Sequence, residues 1–180
     1  EKPLDANDHN INIYYANNAG CRKLFRKKNN ESSKLDVNCN RVRKDGTYLY
    51  EPFQDVVGGK DIKVYVCGDY DEDTREIYDM YIHAEQRKSP SVDGVVERSS
   101  TGLEMRDRVT LTKEELDICS KIMVGFEQRI CGFDILRVKN GDTFKSIVCD
   151  VNGYSNVKHF QEFYTECALI MYKAVNRRMN

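Results

Sequence analysis

Several things are scarce in this sequence, and each scarcity removes a class of protein. No apolar run approaches the roughly 18 residues of a membrane-spanning helix, and no signal-type apolar stretch stands near the start. The seven cysteines, at positions 21, 39, 67, 119, 131, 149 and 167, form no C-x-x-C pair and are odd in number. A disulfide framework is therefore not expected, and the reading is of free thiols in a reducing cytosol. Neither sign of charge dominates, since 28 basic residues face 29 acidic ones for a net charge of −1. No global field attracts nucleic acid or a membrane surface. Internal repeats are absent. So is an initiating methionine: the chain opens Glu1-Lys2-Pro3 and reads as a fragment that starts mid-domain.

What is present suits one soluble core, with 40% apolar and 32% charged residues in 180. The charge is segregated along the chain. Nine basic residues lie between Gly20 and Asp45 against three acids, whereas Asp69 to Asp79 holds six acids and one arginine. A basic stretch of this kind is consistent with a solvated loop and equally with a polyanion site.

Periodicity places the main elements. Ile11-Asn12-Ile13-Tyr14-Tyr15 alternates as a strand, and Thr47 to Tyr50 is a short β-rich run. Residues 28–44 are polar and read as an irregular surface connection. Over Asp61 to Cys67, Ile62, Val64 and Val66 form one face while Lys63, Tyr65 and Cys67 form the other. Lys63 then needs an anion partner, because an unpaired ammonium against a sheet is costly. Asp71 to Met80 reads as a lengthened, exposed hairpin, and Arg87, Lys88, Arg98 and Arg106 as members of a loop-rich region. Thr112-Lys113-Glu114-Glu115 is a capping box opening a helix to about Arg129, with Leu116, Cys119, Met123 and Phe126 as its core stripe. A second helix spans about Val157 to Arg178, its stripe formed by Val157, Phe160, Phe163, Cys167, Ile170, Met171 and Ala174. Strands mixed with two packed helices give an α+β fold.

The chemistry concentrates on one ribbon. Cys131 to Leu136 and Ser146 to Gly153, joined through Asn140-Gly141, read as a β-hairpin with Asp134, Asp150 and Asn152 at its open end. Asp and Asn are poor strand formers, so three of them there call for a function. A two-residue loop at Asn140-Gly141 throws the two carboxylates onto opposite faces. An odd loop, such as one centred on Asp142, sets them directly opposite with Cα atoms about 5 Å apart. Two carboxylates and an amide oxygen are hard ligands suited to Mg²⁺; an exposed hairpin with ordinary polar ends would show the same pattern.

Cys-Gly-Phe-Asp (131–134) followed by Cys-Asp-Val-Asn-Gly (149–153) resembles the end of the catalytic domain of the diphosphoinositol-pentakisphosphate kinases, the Vip-type inositol pyrophosphate kinases with an ATP-grasp fold. Further matching segments follow in the family's order: Glu1-Lys2-Pro3, Asp8-His9-Asn10, Leu24-Phe25-Arg26-Lys27, Tyr50-Glu51, Lys63-Val64-Tyr65, His83-Ala84-Glu85, Arg87-Lys88-Ser89-Pro90 and Val96-Glu97-Arg98. The resemblance implies an N-terminally incomplete ATP-grasp domain of mixed and antiparallel sheets with packed helices. Residues 1–50 would belong to the smaller subdomain with its nucleotide loop at 17–23, which is shorter and poorer in glycine than the family's. Residues 51–180 would form the larger subdomain with the metal site.

The implied reaction moves the γ-phosphoryl group of ATP to a phosphate of inositol hexakisphosphate or a diphosphoinositol pentakisphosphate. ATP would meet Lys2, His9, Glu51, Phe53, Asp61 and Leu136. The inositol phosphate would meet Arg26, Lys27, Lys63, Arg98, Arg106 and Lys158, and Mg²⁺ would be held by Asp134, Asp150 and Asn152. Lys63, Asp150 and Arg98 would carry the catalytic roles. The partners implied are this substrate and the rest of a longer chain, with no nucleic acid. A non-catalytic inositol-phosphate-binding fragment and a different ATP-grasp ligase are the competing readings.

Overall fold

A computed structural model describes residues 1–154, 157 and 160–179. The chain divides into two compact units, 1–60 with 88–105 and 61–87 with 106–180.

The first unit is built from short antiparallel ladders. β1 (Lys2–Pro3) pairs with β5 (Tyr48–Leu49), and β2 (Ile11–Tyr14), β3 (Cys21–Lys28) and β4 (Glu31–Asp36) form a three-stranded sheet in that order. The turn from β2 to β3 places Asn17, Asn18 and Gly20 at φ 58°, 57° and 90°. Gly20 is required there, because a Cβ would lie 2.5 Å from the carbonyl oxygen of Asp36. β4 corrects the expectation of an irregular 28–44 connection. Its sequence, Glu-Ser-Ser-Lys-Leu-Asp, has no hydrophobic alternation. The strand is held instead by its ladder to β3 and by buried Ser33, whose hydroxyl accepts from Arg22 (3.2 Å) and donates to the Pro90 carbonyl (2.5 Å).

The second unit is a five-stranded antiparallel sheet in the order β10-β9-β6-β7-β8. Its strands are β6 (Lys60–Tyr70), β7 (Ile77–Lys88), β8 (Asp107–Arg108), β9 (Ile130–Asn140) and β10 (Thr143–Val151), with helices α1 (Lys113–Gly125) and α2 (Gln161–Met179). β6 and β7 run long and meet across residues 71–76, so residues 71–80 do lengthen a hairpin, although Ile77 and Met80 pack against the core and are not exposed. Arg87 and Lys88 end β7 and are not loop residues.

Alternation along β6 sorts the core as expected. Ile62, Val64 and Val66 join Phe133, Ile135 and Ala84 in one apolar cluster with Cys119, Ile122 and Met123 of α1. On the opposite face Tyr65 and Cys67 pack with Val157, Phe163, Cys167 and Ile170 beside α2. The α2 stripe is as read from the sequence, although the helix itself begins at Gln161.

α1 needs two corrections. It ends at Gly125, and Leu116 and Phe126 are 41% and 57% exposed. The buried stripe is Glu115, Cys119, Ile122 and Met123, turned toward a polar anchor that a purely apolar pattern misses. The capping box at Thr112 and Glu115 is formed in both directions, at 3.2 and 2.8 Å. Glu115 is also fully buried and accepts from Arg137 at 2.8 and 2.7 Å and from Ser146 at 2.7 Å. Burial alone would push its carboxyl up, but the Arg137 guanidinium and the other donors hold it down at about 2.

Candidate active site

The apolar cluster beside α2 occupies one part of its sheet face, and the polar side chains of that face gather on the rest. Three adjacent strands define the row. Lys63 of β6 stands opposite Asp134 of β9, which stands opposite Asp150 of β10. The Lys63 ammonium lies 2.7 Å from each oxygen of Asp134, and both side chains are about four-fifths shielded, at 20% and 17% exposure. The anion expected beside Lys63 is therefore a side chain of the protein itself. Asp150 is exposed.

The two carboxylates meet, but not through the odd loop expected of the sequence. The hairpin loop is two residues, Gly141-Asp142, because Asn140 pairs with Thr143. That register runs unbroken to Val148 opposite Ile135 and by itself would bring Cys149, not Asp150, opposite Asp134. A β-bulge between Val148 and Asp150 takes up Cys149 as an extra residue and sets Asp150 against Asp134. The Cys149 thiol donates to the Asp134 carbonyl at 3.5 Å, and the thiol side of the bulge is exposed. Beyond the bulge the Asn152 N–H donates to the Gly132 carbonyl at 2.7 Å and the Gly132 N–H to the Gly153 carbonyl at 2.8 Å. Asn152, itself exposed, is thus secured to β9 two residues from Asp134.

Among the described residues no group of three or more His, Cys, Asp and Glu side chains comes together in a way that could hold a metal ion. The set at the bulge has a different composition, two carboxylates and one amide. Those are all oxygen donors, which fits a hard divalent cation.

On the β7 side of Lys63 the polar face continues. Arg87 lies 3.9 Å from Asp61, and Arg106 donates to Glu85 (2.7 Å) and to the Tyr65 hydroxyl (3.2 Å). Tyr65 is 5% exposed and edge-on to Phe163 at 6.3 Å. Burial pushes its phenol up, which Arg106 opposes. His83, also 5% exposed, stacks on Phe160 at 4.2 Å with Nε2 4.0 Å from Glu85. Burial lowers its pKa against the pull of Glu85. Glu85, Tyr65 and Arg87 received no role from the sequence. The signal that finds them is period two: His83, Glu85 and Arg87 share a face of β7, as Asp61, Lys63 and Tyr65 do on β6.

Of the residues singled out from the sequence, Asp61, Lys63, Arg106, Asp134, Asp150 and Asn152 belong to the second unit. Leu136, half-buried, follows Asp134 by two on β9 and so shares its face. In the first unit Lys2 and Glu51 form an ion pair, and Arg26 donates to His9 Nε2 at 3.0 Å. Lys27 lies 3.4 Å from Glu104. Arg98 bridges two turns, donating to the Asn30 side chain (2.5 Å) and to the carbonyls of Gly102 (2.7 Å) and Asn29 (2.9 Å). Phe53 is 55% exposed. Lys158 lies outside the described residues.

No protein-family model matches the chain. Individual relatives do. The inositol hexakisphosphate and diphosphoinositol-pentakisphosphate kinase of Saccharomyces cerevisiae is 44% identical over 173 residues, which is 95% of this chain and 14% of that kinase. The corresponding kinase VIP1 of Arabidopsis thaliana is 43% identical over 96% of this chain and 15% of its own length. Kinase 2 of Homo sapiens is 44% identical over 99% of this chain and 13% of its own length. The chain is homologous to these kinases. It spans only about an eighth to a seventh of the length of the curated relatives it matches. Among the described residues no helix is long and apolar enough to cross a membrane.

Proposed function

We propose that this chain is part of an ATP-grasp kinase that transfers the γ-phosphoryl group of ATP to a phosphate of inositol hexakisphosphate or a diphosphoinositol pentakisphosphate. The observation that carries the reading is the Lys63–Asp134–Asp150 row across three strands, in a chain homologous to such kinases. Asp134, Asp150 and Asn152 would hold Mg²⁺. When bound, the ion supplies charge neutralisation on the β- and γ-phosphates.

The rest falls to the protein's own groups. Lys63 is paired to Asp134 and follows Asp61 by two on β6, and its ammonium balances transferring charge. Phosphoryl transfer to an acceptor phosphate that is already ionised at neutral pH needs no general base, which suits a face of acids, lysine and arginine. Lys2, Glu51, His9, Phe53, Asp61 and Leu136 are assigned to ATP. The Lys2–Glu51 ion pair and the half-buried position of Leu136 beside Asp134 support that assignment. Arg26, Lys27, Arg98, Arg106 and Lys158 are assigned to the polyanionic acceptor, for which arginine supplies bidentate contacts and lysine a mobile charge. Residues 1–50 take the role of the smaller, nucleotide-loop subdomain and 51–180 that of the larger one. The seven free thiols favour the cytosol as the place of action.

The complete kinase domain containing this chain, given labelled ATP, Mg²⁺ and inositol hexakisphosphate, is expected to label the inositol phosphate. Binding of inositol hexakisphosphate with no nucleotide turnover would leave an anion-binding module. Turnover dependent on a carboxylic acid and an amine would make it a ligase.

A further inference from the structure

The geometry points to Glu85 as the positioning residue that holds Arg106 ready for the phosphates of the acceptor; the inference rests on the reading above that Arg106 receives them. Arg106 precedes the edge strand β8, which pairs with β7 through Glu85–Arg108 and Gln86–Asp107. Its side chain reaches back over β7 to β6 and is 19% exposed. One nitrogen, Nη1, meets both Glu85 at 2.7 Å and the Tyr65 hydroxyl at 3.2 Å, a charged acceptor and a neutral one.

Neither acceptor is itself loose. The Glu85 side chain is 12% exposed near the end of β7, where that strand pairs with β8, and the Tyr65 ring is locked in the cluster beside α2. An arginine free in solvent loses rotamer entropy when a ligand fixes it, and ordering it in advance lowers the cost of recruiting it. A carboxylate within the acceptor region of a polyanion enzyme also has a price in repulsion, which an arginine-orienting role explains and a substrate contact does not. A purely structural alternative exists, in which the ion pair only pins β8 to β7. The two differ in what they predict for substrate.

The test uses the complete kinase. Glu85→Gln removes a charge-assisted hydrogen bond, so KM for inositol hexakisphosphate should rise about tenfold while KM for ATP stays within about twofold. Glu85→Asp keeps the charge, draws the carboxylate back by one methylene and should shift the acceptor KM in the same direction. Arg106→Ala should raise it at least as far, and Glu85→Gln added to Arg106→Ala should do nothing more. If Arg106→Ala raises the acceptor KM and neither Glu85 variant does, the positioning role is overturned and the acceptor site stands. An unchanged acceptor KM in Arg106→Ala overturns the reading of the site, and this inference with it. Should Glu85→Gln lower the melting temperature too far to assay, Glu85→Asp decides between the same outcomes.

Discussion

Each face of the five-stranded sheet carries an ion pair that uses a side chain of β9, and the two pairs are finished differently. Beneath α1, the Glu115 carboxylate is fully buried. Arg137 Nε and Ser146 meet one of its oxygens, and Arg137 Nη2 and the Thr112 N–H meet the other. Four donors on two oxygens use the whole acceptor capacity of a carboxylate. On the opposite face, among the described residues, Asp134 meets one ammonium, that of Lys63, which touches both oxygens, while Asp150 faces it exposed. The first pair is closed and can only stabilise. The second retains acceptor capacity at an accessible place, which is what a site for a cation and phosphates requires.

The comparison breaks first at Asp150. Asp150→Ala in the intact kinase should lower phosphoryl transfer by roughly four powers of ten. The melting temperature should hardly move, because the side chain is exposed and the ladder is carried by backbone bonds. Retained turnover would put the metal site elsewhere. Next comes the closed pair. Glu115→Ala strands Arg137 without its counter-ion and should cost about 3–5 kcal/mol in denaturant unfolding.

Glu115 also sets an acid limit. Its folded pKa of about 2 lies below the ordinary carboxyl value of 4.5. Its contribution is therefore complete above the higher value and is lost as pH falls toward the lower one. The wild type should lose stability through that window more steeply than Glu115→Gln, as an acid titration followed by circular dichroism would report.

These faces were unequally legible in the sequence. Alternation along Asp61 to Cys67 correctly divided β6, and the stripe of α2 was read residue by residue, because an element covered on one side imprints its period on its own residues. The capping box was equally plain, being local. Long-range features were not. Glu115 shows in the sequence as a cap alone, since nothing near it announces Arg137 or Ser146. β4 has no pattern of its own and exists through its neighbour. The grouping of 88–105 with the first unit depends on contacts such as Glu31 with Val95 and Ser32 with Gly94, some 60 positions apart. At the site, residue types announced the chemistry while the register stayed open, because a bulge can be made by almost any residue. The odd count that brings the aspartates together is expected of the loop and lies instead at Cys149.

That displacement of the extra residue can itself be tested. Deleting Cys149 removes the bulge and leaves the Gly141-Asp142 loop unchanged. Asp150 then moves into the place of Cys149 in the numbering of the ladder. It opposes Asp134 in an unbroken ladder, with Val151 still opposite Phe133 and Asn152 still beside Gly132, so the pairing of the ligand set is kept and only the bend and added twist of the bulge are lost. Losing that bend re-aims the carboxylate of Asp150, and a misplacement on the order of 1 Å costs about a hundredfold in transfer. A Cys149→Ala control, which keeps the bulge and loses only the thiol, should stay near wild type. Equal loss in the two would show that the thiol matters and the bulge does not.

The smallest effect belongs to a third ion pair, which separates charge from closure. Arg75 and Glu127 approach to 3.1 Å with side chains 47% and 70% exposed. Both residues have positive φ, 63° and 54°, so the informative variant is Glu127→Gln, which changes the charge and keeps the length of a side chain already in the left-handed region. Removing that charge should alter unfolding free energy by less than about 0.5 kcal/mol, and by less still at high salt. The distance between partners is close to those in the Glu115 pair, so a small effect here beside a large one there assigns the difference to burial and to the number of donors converging on the carboxylate. A loss comparable to that of Glu115→Ala would mean that proximity alone sets the strength of these pairs. The contrast between the closed and open faces would then lose its physical basis.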